Sequence, residues 1–107
     1  MKERPNSPFN NDDLEDRRYR LRLYITGATP NSARAIINLK EFCESYLKDN
    51  YELDIIDVYQ QPLVAKADQV IAIPMLVKLS PLPARRLIGD MSDKEKIFRG
   101  LSLTANE

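Results

Sequence analysis

Residues 17–50 constrain the fold most strongly, because they predict a strand, a tight turn and a long helix in direct succession. Gly27 interrupts the strand, Thr29 can cap a helix, and Pro30 suits its first position. From Ala33 onward the apolar residues recur with helical spacing. The strand alternates with a period of two, one face being formed by Tyr19, Leu21, Leu23 and Ile25 and the other by Arg18, Arg20, Arg22 and Tyr24.

A second strand is predicted directly after this helix. Asp49 and Asn50 end the helical pattern, and the strand covers residues 51–58. A strand, a helix and a strand joined by short connections form a βαβ unit, whose two strands are normally parallel and adjacent. The first half of the chain therefore predicts half of an α/β sheet, which the remaining residues must complete.

Length and charge limit the chain to one small domain without a strong electrostatic field. At 107 residues it can bury one hydrophobic core, and its 16 basic residues balance its 16 acidic residues. We therefore expect no nucleic-acid partner. No apolar run approaches the roughly 20 residues that span a bilayer, and the N-terminus has no apolar signal segment. We expect no membrane association and a cytoplasmic location.

The cysteine and histidine content excludes several kinds of site. The single cysteine, Cys43, cannot form an internal disulfide and suits a reducing compartment. The chain has no histidine, which argues against a zinc site of the usual ligands, and we expect no cofactor. Cys43 lies on the apolar stripe of the predicted helix, so we expect it to pack in the core rather than to react.

The N-terminal arm, residues 1–17, is rich in proline, asparagine and acidic side chains. Such a composition cannot offset the entropy lost on ordering, so we expect a flexible arm in front of one domain formed by residues 18–107. A functional tail is the alternative interpretation of this arm.

Arg18, Arg20 and Arg22 share one face of the first strand, and two interpretations of this face stay open. The arginines could contact an acidic partner. Alternatively, Glu52 and Asp54 on the second strand could pair with them across the sheet, an interaction worth about 0.2–1 kcal/mol per pair. Both interpretations can hold at opposite ends of the strand.

The C-terminal half begins with two short elements. Pro62 can start a short helix that continues through residues 63–69. Residues 75–79 predict a strand that is buried on both sides. The residues of the short helix that should face inward are Leu63, Val64 and Ala67.

The residues that follow allow two different successions of elements. Residues 84–88 suit a helical turn or a short strand equally well, and residues 101–104 alternate like a strand. Ser92 and Glu95 form a capping box that predicts a helix start. The C-terminal half can therefore form strand, strand and helix, or strand, helix, helix and strand. Such conflict between local preferences is a reason to suspect a conformational switch.

The order of the elements resembles the outline of a thioredoxin-like domain. Redox members of that fold carry a C-x-x-C motif at the start of the first helix, where the helix dipole lowers the pKa of the first thiol. Here these positions hold Thr29 and Ser32, whose hydroxyls cannot exchange a disulfide. Pro74, in the pair Ile73-Pro74, occupies the place of the cis-proline of that fold. We therefore expect a binding module rather than an enzyme.

Several short segments, spread in order over about residues 18–101, together match one protein family. They are Leu23-Tyr24-Ile25-Thr26-Gly27, Thr29-Pro30-Asn31-Ser32-Ala33-Arg34-Ala35, Ile56-Asp57-Val58 with Pro62, Ala72-Ile73-Pro74-Met75-Leu76, residues 81–90 and residues 92–96. They resemble the KaiB family of small clock proteins. The resemblance implies an α/β, thioredoxin-like domain whose C-terminal half switches between a thioredoxin-like form and the family's own ground-state topology.

The resemblance also implies a function. KaiB proteins are not enzymes; they bind the N-terminal ring of the hexameric ATPase KaiC and regulate its phosphorylation cycle and output. The resemblance implies a homotetrameric ground state, with a dimer as the alternative, and a thioredoxin-like monomer that engages KaiC. In the clock, the bound form displaces an output histidine kinase that has a similar domain, and it helps to sequester KaiA.

Individual residues receive roles from the same resemblance. Arg22, Arg34 and Asp68 fall at positions that contact KaiC in the family. Asp54 and Gln69 stand where lysines are expected at the surface that faces KaiC, and this supports the alternative of a divergent relative in stress adaptation or signalling. The hinge or fold-switch candidates, among which X-Pro isomerisation would act as a kinetic brake, are Pro74, Pro81, Pro83, Gly89 and Gly100.

Overall fold

The computed structural model of this chain describes residues 18–103, which form a four-stranded sheet with helices on both faces. Along the chain, the elements are β1 (Tyr19–Ile25), α1 (Pro30–Tyr46), β2 (Tyr51–Asp57), α2 (Pro62–Ala67), β3 (Met75–Ser80), β4 (Arg85–Ile88) and α3 (Lys94–Gly100). The strands lie in the order β2-β1-β3-β4, with β1 and β2 parallel and the other neighbours antiparallel. The predicted arm lies outside the described residues. Within residues 18–103, none of the helices combines the length and the apolar character needed to cross a membrane.

The predicted β1–α1–β2 unit is confirmed. Thr29 caps α1, because its Oγ1 accepts a hydrogen bond from the backbone amide of Ser32 at 3.2 Å, and Pro30 is the first helical residue. The helix ends at Tyr46, before the predicted end. Asp49 adopts a left-handed backbone conformation, with φ of +62°, and this conformation turns the chain toward β2.

The C-terminal half forms strand, strand and helix, the first of the two predicted successions. Residues 75–78 of β3 are buried, the charged Lys78 among them, whereas Leu79, which was predicted to be buried, is exposed. The ambiguous residues 84–88 supply β4, which completes the sheet by pairing Leu87 with Leu76 of β3. Leu76 also pairs with Leu23 of β1, a residue far away along the chain. Long-range pairing of this kind, rather than local preference, decides between the two successions.

Two local predictions in this half are wrong. Leu63 and Ala67 are exposed, because the six-residue helix α2 packs against the sheet through Val64 and Ala65. The N-cap of α3 is Asp93 instead of Ser92, since the Asp93 carboxylate accepts a hydrogen bond from the backbone amide of Lys96 at 3.1 Å. Aspartate and serine cap helices about equally well, so tertiary packing selects the start.

The end of the described chain is a turn and not the predicted strand. The backbone amide of Leu103 donates to the carbonyl of Phe98 at 2.8 Å, which folds the chain back on the last turn of α3. Leu103 then packs against the core. The apolar side chains of Leu101 and Leu103 are therefore packed in the core by a turn after α3 and not by a strand. Thr104 lies outside the described residues.

Each face of the sheet buries its own apolar cluster. The larger cluster lies between the sheet and the helices α1 and α3, and it contains Cys43, which confirms the prediction that this cysteine packs in the core. Within residues 18–103, the second face carries α2 as its only helix, and this helix has six residues. The buried residues of the smaller cluster are Tyr24, Ile56, Ala65, Met75 and Val77.

Candidate partner-binding surface

The centre of the second face holds an ion pair between β1 and the end of α2. Nη1 of Arg22 lies 2.9 Å from Oδ2 of Asp68, the residue that follows the last turn of α2. The two side chains keep 27% and 23% of their accessible surface. Two of the three predicted contact residues therefore meet, at a place where solvent and a partner can still reach them.

Tyr24 contacts this ion pair from the interior of the protein. The side chain is completely buried, and its hydroxyl donates a hydrogen bond to Oδ2 of Asp68, the oxygen that also contacts Arg22. Burial raises the pKa of the Tyr24 phenol, and the neighbouring Asp68 carboxylate adds to this effect. The phenol therefore stays protonated and holds the carboxylate toward Arg22.

Hydrogen bonds keep Asp68 ionised although it is partly buried. Burial alone would raise the pKa of the carboxyl group, but the hydrogen bonds from Tyr24 and Arg22 outweigh it and lower the pKa below its ordinary value. The same contacts with Tyr24 and Asp68 raise the pKa of Arg22. Nε of Arg22 is buried without a hydrogen-bond partner in the described part of the chain.

Further arginines extend this face on both sides of the ion pair. Arg18 and Arg20 contact the two oxygens of one carboxylate, that of Glu52, at 3.1 and 3.5 Å. Arg86 of β4 lies across the sheet from Arg22, with one strand between them, and donates to the carbonyl of Gln69 at 2.9 Å. The prediction of pairing across β1 and β2 is thus confirmed for Glu52.

Asp54 does not make the predicted ion pair. It lies opposite Arg22 in the register of β1 and β2, yet Arg22 contacts Asp68 instead. Among residues 18–103, no ion pair to Asp54 is formed. The strand register predicted Asp54 as the partner of Arg22, but the carboxylate of Asp68, at the end of α2, lies closer to Arg22.

Arg34, the third predicted contact residue, lies on the opposite side of the sheet. It belongs to α1, contacts Asn31, and approaches Oδ2 of Asp90 through Nε at 3.4 Å. Asn38, one turn further along α1, donates to the backbone carbonyl of Asp90 at 2.9 Å. Hydrogen bonds from Ser92, followed by the contact with Arg34, lower the pKa of the Asp90 carboxyl group. Arg34 therefore joins α1 to the loop before α3 and is separate from the Arg22 cluster.

The hinge candidates occupy connections around β3 and β4. The backbone amide of Gly89 donates to the carbonyl of Pro74 at 3.0 Å, so the two ends of the β3–β4 pair are joined there. Gly89 has φ of +131°, a conformation open almost only to glycine. Pro81 and Pro83 lie in the β3–β4 connection, and the peptide bonds before Pro74, Pro81 and Pro83 are all cis.

Gly100 packs directly against β4. A Cβ atom at this position would lie only 2.6 Å from the methyl groups of Leu87. The sequence suggested glycine here because it weakens a helix; the structure adds that the close approach of α3 and β4 leaves no room for a side chain.

Thr29 and Ser32, which occupy the positions of the C-x-x-C motif, stabilise the start of α1 and the end of β1. Oγ of Ser32, which is buried, accepts a hydrogen bond from the backbone amide of Thr26 at 3.1 Å, while Thr29 caps α1. A shallow groove beside them is lined by Thr29, Pro30, Asn31, Ile73 and Pro74. Burial raises the pKa of the Cys43 thiol to about 12, so it is not a nucleophile at neutral pH.

Sequence reasoning missed Tyr24 and Asn38 as members of these clusters. The signal for Tyr24 was present, because it shares a strand face with Arg22 and follows it by two residues. No comparable signal existed for Asn38, whose partner Asp90 lies 52 positions away.

The comparison with known protein families decides the identity of this fold. The KaiB domain model matches residues 22–103. This chain belongs to the KaiB family. The circadian clock oscillator protein KaiB of Prochlorococcus marinus subsp. pastoris is 49% identical over 89 residues, covering 83% of either chain. KaiB of Synechococcus elongatus is 47% identical, covering 83% of this chain and 87% of the relative.

Solved structures show that this KaiB-family chain has a thioredoxin-like fold. The N-terminal domain of Synechococcus elongatus SasA superimposes with a TM-score of 0.68 at 19% identity, covering 98% of this chain and 96% of that domain. Yeast mitochondrial thioredoxin 3 gives a TM-score of 0.66 at 15% identity, with coverage of 85% and 83%. The predicted thioredoxin-like α/β fold is confirmed, and the switch of the C-terminal half stays a prediction.

Proposed function

We propose that this chain is a non-catalytic clock adaptor that binds the N-terminal ring of a KaiC-type hexameric ATPase and thereby regulates the phosphorylation cycle and output of that ATPase. Its membership of a family of circadian clock proteins supports a role in timing. The lack of a dithiol at Thr29 and Ser32, together with the inert thiol of Cys43, favours binding over redox chemistry.

The topology of the C-terminal half carries this proposal. The family resemblance implies that the thioredoxin-like form is the one that engages KaiC, and β3, β4 and α3 of this chain adopt that form. The similarity to the SasA domain in fold agrees with a surface that could replace an output kinase on the same ATPase. KaiA and a histidine kinase pathway are therefore further candidate partners.

The second face of the sheet is the best candidate for the contact with KaiC. Arg22 and Asp68 are held rigidly by Tyr24, so little side-chain entropy is lost when a partner binds. The Arg22 and Asp68 side chains keep 27% and 23% of their accessible surface, so a partner could contact the ion pair directly. Arg34 is proposed as a second, spatially separate contact.

A change between two folds is part of the proposal. The isolated protein would form a homotetramer, or a dimer, with a different C-terminal topology, and the described form would be the partner-binding monomer. Pro74, Pro81, Pro83, Gly89 and Gly100 all lie in or beside the elements that would rearrange. Gly89 and Gly100 each meet a requirement of the thioredoxin-like form, the first through its backbone conformation and the second through its contact with Leu87.

Size-exclusion chromatography with light scattering tests the proposal directly. The protein alone should elute as an assembly of four chains of 12.3 kDa each, and it should co-elute with the KaiC hexamer after long incubation with ATP. Arg22→Gln should weaken co-elution, whereas Lys40→Gln, which removes a charge from the exposed side of α1, serves as the matched control. Failure to co-elute in any phosphorylation state of KaiC would favour the alternative, a KaiB-family protein acting in stress adaptation or signalling.

A further inference from the structure

Among residues 18–103, four arginines on the second face of the sheet are balanced by three carboxylates, those of Glu52, Asp54 and Asp68, so this face keeps a net positive charge. Arg18 and Arg20 share the single carboxylate of Glu52, and their side chains keep 48% and 63% of their accessible surface. Arg86 has a neutral backbone carbonyl as its partner in the described part of the chain. Two guanidinium groups on one carboxylate leave a net charge of about +1 at that point, which an additional acid could satisfy.

These arginines form a continuous stripe. Arg20 and Arg22 follow one another along the same face of β1, and Arg18, directly before the strand, contacts Glu52 together with Arg20. Arg22 and Arg86 are both opposite Val77 of β3, so they lie on the same face at a separation of two strand spacings, or about 10 Å. We call these four residues, Arg18, Arg20, Arg22 and Arg86, the arginine stripe.

A strongly acidic segment directly precedes β1 in the sequence. Residues 12–16 are Asp12-Asp13-Leu14-Glu15-Asp16, with four acids among five positions. Their charge is complementary to the arginine stripe, and the segment lies just before Arg18 and the strand that carries Arg20 and Arg22.

The length of the connection allows contact. Asp13 precedes Arg18 by five positions, and five residues span at most about 17 Å. Arg20 and Arg22 lie about 7 and 13 Å along the strand from Arg18. A chain that reverses its direction before β1 can therefore place Asp12 and Asp13 over the stripe. The short tether gives the segment an effective concentration on the order of millimolar, so weak individual contacts suffice.

We propose that residues 12–16 bind the arginine stripe and compete with an external partner for it. The segment acts as an internal acidic ligand that must leave before Arg22 and its neighbours can contact a partner. Competition rests on the proposed function, because it assumes that KaiC uses this face; the intramolecular contact does not.

Paramagnetic relaxation tests the intramolecular contact in the full chain. A nitroxide label at Asn11→Cys, in a Cys43→Ala background, should broaden the amide signals of Arg20, Arg22 and Arg86 more than those of Ile37 and Lys40 on the other side of the molecule. In the fourfold variant Asp12→Asn, Asp13→Asn, Glu15→Gln and Asp16→Asn, this preference should disappear. Glu3→Gln, which removes an acid elsewhere in the arm, should leave it unchanged. The proposal would be overturned if the fourfold variant showed the same pattern of broadening as the full chain. It would also be overturned if the strongest broadening in the full chain fell on another face of the molecule.

Binding to KaiC tests the competition. A chain without residues 1–16 and the fourfold variant should both bind KaiC about 3- to 10-fold more tightly than the full chain at about 50 mM salt, and the difference should close near 300 mM as screening increases. A chain without residues 1–11, which keeps the acids, should bind like the full chain. Equal binding by all four proteins would refute competition. If none of them binds KaiC, the proposed function fails, and the relaxation experiment still decides whether the segment occupies the stripe.

Discussion

Gly100, the last residue of α3, lies so close to Leu87 of β4 that a Cβ atom on the glycine would approach the leucine methyl groups to 2.6 Å. β4 and α3 belong to the C-terminal half, for which the sequence allows two successions of elements. The contact with Leu87 explains why the observed succession, strand, strand and helix, requires glycine at position 100. A side chain at position 100 would therefore act against the packing of α3 on β4 in the thioredoxin-like form.

The first prediction concerns this contact. Gly100→Ala should destabilise the thioredoxin-like form by about 1 kcal/mol, because overpacking against Leu87 exceeds the gain in helix propensity. In a Leu87→Ala background the same change should be neutral or stabilising, since the clash is absent. Urea unfolding of the monomeric form of the four variants, separated by size exclusion, measures the coupling between the two positions in a double-mutant cycle. Additive effects would contradict the contact.

The second prediction concerns the pH dependence of Asp68. The folded-state pKa of this carboxyl group is lowered from 3.8, so its ionised form stabilises the fold above about pH 4, and this contribution is lost as the pH falls through the folded-state value. Asp68→Asn should therefore cost about 1–2 kcal/mol at neutral pH and much less at about pH 3. Urea unfolding of the monomeric form at several pH values measures this convergence, with Glu52→Gln, an exposed acid of the same face, as the control. A constant difference across the pH range would show that the charge of Asp68 is unimportant.

The third prediction concerns the two groups of proposed contact residues. Arg22 and Asp68 act as one unit, so Arg22→Gln and Asp68→Asn together should weaken binding to KaiC little more than either does alone. Arg34 lies on the other side of the sheet, and Arg34→Gln should therefore add its full effect to that of Arg22→Gln. Titration of KaiC with each single and double variant measures the coupling. Full additivity between positions 22 and 68 would argue against the cluster as a binding unit.

The fourth prediction concerns Cys43. Its pKa of about 12 and its complete burial should make the thiol at least about 100-fold slower to react with a thiol reagent at pH 8 than an exposed cysteine. Ser45→Cys, two positions further along the same helix and exposed, provides the matched control in a Cys43→Ala background. Rapid labelling of Cys43 without denaturant would mean that the apolar face of α1 opens, and full reactivity in urea confirms that the reagent is competent.

The amino-acid sequence by itself determined the β1–α1–β2 unit and the burial of Cys43. The information was local: a period of two in β1, a helical period after Ala33, and a cap formed by Thr29 and Pro30, all within residues 17–58. The match of ordered segments to the KaiB family likewise needed no coordinates. Both kinds of signal depend on residue types at short, regular spacing.

Tertiary structure alone decided which partners these residues have. Residues 85–88 form β4 by pairing with β3, which local preference did not specify. Arg22 contacts Asp68 rather than its register neighbour Asp54, because the end of α2 places the Asp68 carboxylate 2.9 Å from Arg22. Asp68 lies 46 positions from Arg22, and Asp90 lies 56 positions from Arg34. Contacts over such distances depend on how whole elements pack, and local preferences that differ by less than about 1 kcal/mol cannot specify them.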